Sequence, residues 1–127
     1  MSENELANRV IGLAIEVHNA LGPGLLEKTY RDCLFFKINQ AGLFVEKEKA
    51  VPLIFEEVKL DHGYRVDILV ERKLVLELKC VDSFHDIHVA QVLTYLKFGG
   101  FKLGLLLNFN VLMLRYGIRR VVLGDVR

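Results

Sequence analysis

The sequence predicts an α/β fold, a mixed central β-sheet flanked by helices. Three observations carry this. Apolar residues recur at three- and four-residue steps near the N-terminus (Leu6, Val10, Leu13, Val17, Leu21) and again late in the chain (Val89, Val92, Leu93, Leu96), the period of a helix with one buried side. Between these stretches the period falls to two, with Val66, Ile68 and Val70 followed by Leu74, Leu76 and Leu78, the mark of paired strands. A continuous apolar run over residues 102–109 then reads as a buried strand.

The elements follow in order. Ser2 and Glu5 form a capping-box pattern that opens a first helix over residues 4–20. Gly22-Pro23-Gly24 interrupts it, and a second helix is expected over residues 25–41, closed by Gly42. Residues 43–50 and 51–60 read as two extended segments, the second opened by Pro52, and Asp61-His62-Gly63 turns the chain into a hairpin over residues 64–79. Ser83 is placed to cap a third helix over residues 85–98, ended by Gly99-Gly100. After the buried strand, residues 111–116 and 118–123 are expected as strands around Gly117 at a sheet edge.

Composition narrows the function classes. The 127 residues suit a single domain over residues 1–127, and 52 % hydrophobic residues with a mean hydropathy of +0.29 supply a substantial core. No apolar run reaches the ~18–20 residues of a membrane span, and the N-terminal Met1-Ser-Glu-Asn-Glu has no signal-peptide character, so no membrane association and a cytoplasmic location are expected. Cys33 and Cys80 belong to no CxxC pair and read as small core residues. With 17 basic against 16 acidic residues, the chain does not coat nucleic acid by bulk charge.

The hairpin holds the chemistry. If it is symmetric about Arg72, Asp67 stands opposite Glu77, with Cβ atoms about 4.5–5.5 Å apart, and Lys79 follows on the Glu77 face about 6–7 Å along the strand. Like charges placed opposite each other repel, so the pair makes sense around a cation, and an oxygen-rich site suits Mg²⁺ or Mn²⁺. Lys79 then adds a positive charge able to orient water or offset charge on a phosphate. Read from spacing alone, the same residues also fit a surface hairpin of solvated ion pairs.

Two further groups surround it. On the third helix His88, Gln91 and Tyr95 lie at i, i+3 and i+7. Gln91 and Tyr95 either project toward a strand-borne site, where they would contact phosphate or base, or border the core with Gln91 solvated. His88 is either a helix-surface residue or a substrate contact. At the front, Glu27 falls in the first turn of the second helix, where a carboxylate favours the positive helix end or serves as a third acidic group. His18 supports Glu27, contacts substrate, or packs against the Gly-Pro-Gly turn, packing being the simplest.

Together these residues resemble the PD-(D/E)XK nuclease superfamily, and in detail its GxxExxY branch. Gly24-Leu-Leu-Glu27-Lys-Thr-Tyr30 is similar to the branch motif, Asp67 with Glu77-Leu78-Lys79 to the superfamily's D…(D/E)-x-K core, and Gln91-Val-Leu-Thr-Tyr95 to the Q-x-x-x-Y element of RecB-like exonucleases. His88-Val-Ala and Gly104-Leu-Leu-Leu-Asn108-Phe-Asn110 also follow the branch pattern. The superfamily's proline before the aspartate is absent, since Arg65-Val66 precede Asp67.

The resemblance implies a restriction-endonuclease-like core and a Mg²⁺-dependent DNA nuclease, with Mn²⁺ as the other metal. Asp67, Glu77 and the backbone carbonyl of Leu78 would bind metal, Glu27 a metal-linked water or a second ion, and Lys79 would position the attacking water. Gln91 and Tyr95, with His88 and His18, would hold the substrate. Nucleic acid is thus the expected partner, and a homodimer through an apolar terminal strand is expected as well. The competing reading is a catalytically silent nuclease-fold module that binds nucleic acid or a protein partner. No Walker-type phosphate loop occurs, which argues against an NTPase.

Overall fold

The computed structural model of the chain describes residues 1–61 and 63–126; His62, in the expected turn before the hairpin, lies outside them. Helix α1 spans Glu3–Leu21 and begins as its sequence dictates. The Ser2 hydroxyl oxygen accepts from the Glu5 amide at 3.2 Å, and the Glu5 carboxylate accepts from the Ser2 amide at 3.4 Å. Helix α2, Glu27–Gln40, starts two residues later than the periodicity suggests, because Gly22 and Gly24 hold the preceding loop at positive φ.

Among the described residues seven strands follow: β1 (Val45–Ala50), β2 (Leu53–Phe55), β3 (Val58–Leu60), β4 (Arg65–Val70), β5 (Leu74–Lys79), β6 (Leu103–Asn108) and β7 (Ile118–Val122). Five of them form one sheet in the order β1-β4-β5-β6-β7, and β2 pairs only with β3. Every neighbouring pair in the large sheet is antiparallel except β5–β6, which is parallel. A parallel pair needs a crossover, and helix α3 (Asp86–Gly99) provides it. The sheet is therefore mixed, and the expected α/β class is observed.

Both faces of the sheet are covered. On one, α1 and α2 bring Leu6, Val10, Leu34 and Ile38 against Ile68, Val70, Leu76, Leu78, Leu105 and Leu107. On the other, Val92, Tyr95 and Leu96 of α3 meet Leu69, Val75 and Leu106. Burial on both sides explains why β6 is apolar without alternation, every residue of it being buried. Helix α3 approaches β6 at Gly104, where an added Cβ would lie 2.7 Å from Val92 Cγ1.

Four expectations are corrected. Residues 51–60 are not one extended segment but run from a short lead into the β2–β3 hairpin, turning at Glu56 (φ 53°). The Val51 amide donates to the Tyr64 carbonyl at 2.8 Å, so the chain between those residues must double back. Residues 111–116 are not a strand, because residues 109–117 must reverse the chain from β6 into antiparallel β7. They do so through a 3₁₀ turn, Leu114–Gly117. Helix α3 is capped at His85 rather than Ser83, with the His85 amide donating to His88 Nδ1 at 3.1 Å. Leu93 faces solvent, and Tyr95 takes the buried position beside Val92 and Leu96.

Candidate active site

The β4–β5 register is the one the hairpin's symmetry implies, pairing Ile68 with Leu76, Leu69 with Val75 and Val70 with Leu74. One step further, Asp67 and Glu77 are opposite but no longer share a ladder. The strands diverge there, and Val66 packs on the α3 side whereas Ile68 and Val70 pack on the α1–α2 side. The two carboxylates bridge the fork. The Asp67 amide donates to Glu77 Oε1 at 2.9 Å, and the Leu78 amide donates to Asp67 Oδ2 at 2.8 Å. Each carboxylate thus takes one backbone amide from the other strand.

Burial makes this pair costly. Glu77 is 3 % exposed, and its pKa is pushed up to about 8 by burial first and the Asp67 charge second. Burial also raises Asp67, against the pull of the Leu78 amide, Arg31 and Lys79. Lys79, at the end of β5, donates to Gln91 Oε1 at 3.4 Å, and Gln91 Nε2 donates to Tyr95 Oη at 3.2 Å. Burial, then the Glu77 charge, hold the Tyr95 phenol above its ordinary range. Strand and helix groups therefore form one connected chain.

Glu27 joins from α2. It is solvent-exposed at the rim, yet loss of water around its carboxyl and the Asp67 charge raise its pKa, with Lys79 and Arg31 opposing. The loop before it is fixed by Tyr30, fully buried, whose hydroxyl donates to the Gly22 carbonyl and accepts from the Leu25 amide at 3.1 Å. His88 sits at the start of α3, where desolvation first, then Lys79 and His85, lower its pKa. A hollow of about 350 Å³ on α3 is lined by Ile87, His88, Ala90, Gln91 and Thr94. A second, apolar groove of about 370 Å³ between α1 and α2, lined by Val17, Cys33 and Phe36 among others, contains none of the expected site residues.

The structure thus gathers Glu27, Asp67, Glu77, Lys79, Gln91 and Tyr95, with His88 at the edge. His18 is placed elsewhere. It is 3 % exposed, with Nε2 3.2 Å from the Phe109 carbonyl oxygen, and has the packing role. Two residues not singled out in the sequence also enter. Arg31 Nη1 lies 3.3 Å from Glu48 Oε1 and 4.0 Å from Asp67 Oδ1. Arg31 follows Glu27 by four positions, so a shared helix face was the available signal. Glu48 had none, because the β1–β4 pairing that sets it opposite Asp67 joins segments with no local turn between them.

The donor set fits a hard divalent cation. Its first donors are carboxylate oxygens, and the Asp67–Glu77 pair, with Glu77 buried, carries a repulsion that such a cation would relieve. Among the described residues no three His, Cys, Asp or Glu side chains already converge on one point. Mg²⁺ needs only one or two protein carboxylates, waters and substrate oxygens supplying the rest.

The sequence model of the PD-(D/E)XK nuclease superfamily matches residues 4–121. The chain belongs to that superfamily, and the mixed sheet between helices is a restriction-endonuclease-like arrangement. Comparison with curated proteins and with solved structures gives no match. Among the described residues no helix is long and apolar enough to cross a membrane.

Proposed function

We propose that this chain is a single-domain, Mg²⁺- or Mn²⁺-dependent nuclease that hydrolyses phosphodiester bonds in DNA. The carrying observation is the fork at the Asp67–Glu77 level, where the buried Glu77 carboxylate and the half-buried Asp67 carboxylate face each other beside Lys79. Asp67, Glu77 and the Leu78 carbonyl would hold the metal, with Glu27 binding through water or at a second ion. A bound metal supplies a Lewis acid for the phosphate and a water of lowered pKa. Lys79 would orient the attacking water and offset charge on the phosphate. Gln91, held between Lys79 and Tyr95, positions the strand to be cut, and His88 borders it.

Membership of the GxxExxY branch belongs to the same reading, and a physical division of labour supports it. Gly22 and Gly24 turn the loop, Tyr30 locks it, and Glu27 is presented between them. Self-association through β7 belongs to the reading as well; this strand ends the sheet, and Val122 within it and Leu123 just after it are exposed. Sedimentation as a monomer at high micromolar concentration removes it.

The direct test incubates pure protein with single- and double-stranded DNA and RNA in Mg²⁺, Mn²⁺ or EDTA, beside Lys79→Ala. Metal-dependent cleavage that the variant loses establishes the activity and its substrate. Absence of cleavage with every substrate and metal would favour a silent module that binds nucleic acid or protein. Cleavage persisting in Lys79→Ala would place the chemistry elsewhere.

A further inference from the structure

Arg31 has no part in the mechanism above, yet it occupies the space beside one of the proposed ligands. Asp67 Oδ2 is engaged by the Leu78 amide, and it is the other oxygen, Oδ1, that faces Arg31 Nη1 at 4.0 Å. The same nitrogen lies closer, at 3.3 Å, to Glu48 Oε1. Glu48 sits opposite Asp67 across β1–β4 and holds φ at 51°, a left-handed conformation that residues with a Cβ seldom adopt.

We propose that Arg31 is the resident counter-cation of this carboxylate row, shared between Glu48 and Asp67 until a divalent cation binds at Asp67 and then held by Glu48 alone. The inference rests on the metal-dependent reading given above. Three features support an exchangeable charge over a structural ion pair. A guanidinium locked in place typically makes parallel, bidentate hydrogen bonds, whereas Arg31 meets Glu48 and Asp67 through one nitrogen. Among the described residues, its buried Nε has no hydrogen-bond partner, Asp32 Oδ1 lying 3.9 Å away. Finally, Glu27 and Arg31 stand one turn apart on α2, so a single helix turn carries both an acidic group of the site and its balancing charge.

The electrostatic sign is fixed. A positive charge beside Asp67 stabilises the carboxylates before metal binds and repels the metal afterwards. Removing it should loosen the metal-free protein and tighten metal binding.

The test is Mn²⁺ titration of the full chain by calorimetry, together with thermal unfolding in EDTA. The proteins are wild type, Arg31→Gln, Arg31→Lys, Glu48→Gln and the Arg31→Gln/Glu48→Gln double variant. Arg31→Gln should bind Mn²⁺ about fivefold or more tighter and unfold at lower temperature in EDTA, while Arg31→Lys stays within about twofold of wild type. Glu48→Gln should weaken Mn²⁺ binding only where Arg31 is present, since it removes the resting place of that charge.

Unchanged or weaker Mn²⁺ binding by Arg31→Gln overturns the proposal and leaves the metal site standing. Equal weakening by Glu48→Gln in both backgrounds also overturns it, making Glu48 a ligand in its own right. Because Glu48→Gln probes the pair from the other side, a failure of Arg31→Gln to fold still leaves the proposal refutable. No Mn²⁺ binding by any of the five proteins would overturn the metal reading and this one with it.

Discussion

The Tyr30 ring lies stacked on Phe109, with centroids 4.6 Å apart and planes inclined by 18°. Phe109 follows directly after β6, so this contact ties the start of α2 to the end of that strand. It fixes where Glu27 stands, three residues before Tyr30.

Tyr30→Phe keeps the stack but leaves the Gly22 carbonyl and the Leu25 amide without their partner. Stability should fall by about 1–2 kcal/mol in urea unfolding. Cleavage should fall by about tenfold or more, because displacing a positioned group by ~1 Å is costly in rate. A destabilised variant with undiminished cleavage would show that Glu27 is dispensable.

Glu77 predicts an unusual pH profile for the metal-free protein. Its folded pKa, about 8, lies above the unfolded value near 4.5, so the native state binds the extra proton between them. Stability is then fullest below about pH 4.5 with respect to this group, and falls as pH rises toward and through 8. Because Glu77 is almost wholly buried, the effect is on the order of a few kcal/mol. Glu77→Gln, which keeps the acceptor for the Asp67 amide, should flatten the fall in Tm between pH 6 and pH 9 in EDTA. A wild-type Tm whose course over that interval does not differ from the variant's would contradict the shift.

Tyr95→Phe separates packing from positioning. The ring is buried and stays so, but Gln91 Nε2 loses its acceptor. Stability should change by about 1 kcal/mol or less, while cleavage falls about tenfold at unchanged Mn²⁺ affinity. A loss of Mn²⁺ affinity would instead place Gln91 among the groups that hold the metal.

Gly104→Ala tests the seat of α3. The new methyl would meet Val92 Cγ1 at 2.7 Å, a short β-branched side chain with little room to yield. The expected cost is about 1–3 kcal/mol, with cleavage impaired because Val92 adjoins Gln91 and the Lys79–Gln91 contact is already long. Wild-type urea stability would mean that the helix moves off the sheet freely.

What could be read from the sequence was what local spacing controls. The hairpin register followed from equal arms about Arg72, and with it the facing of Asp67 and Glu77 just beyond the ladder; α1 announced itself through Ser2 and Glu5. The ladder's end at Ile68–Leu76 could not be read, because it depends on how β4 leaves β5 within the folded sheet. Arg31 and Glu48 were hidden for a related reason, their meeting being a product of α2 crossing toward β1 and β4. Residues 111–116 open with four apolar residues in a row, which suits a strand, but the chain needs that length to reverse. Gly117, packed so that a Cβ would lie 2.3 Å from the Asn108 carbonyl oxygen, belongs to that reversal.

The β2–β3 hairpin has a consequence for how such a protein can diversify. Ala50 and Arg65 already close the β1–β4 ladder, and Val51 and Tyr64 seal it with one further hydrogen bond. The intervening finger, tipped by exposed Phe55 and Val58, is therefore an insertion into a frame complete without it. Closing a longer loop costs little more than closing a short one. Lineages can lengthen, trim or replace the finger without renegotiating the sheet, while its root at Tyr64 stays three residues from Asp67. Sheet and finger become separately inheritable traits.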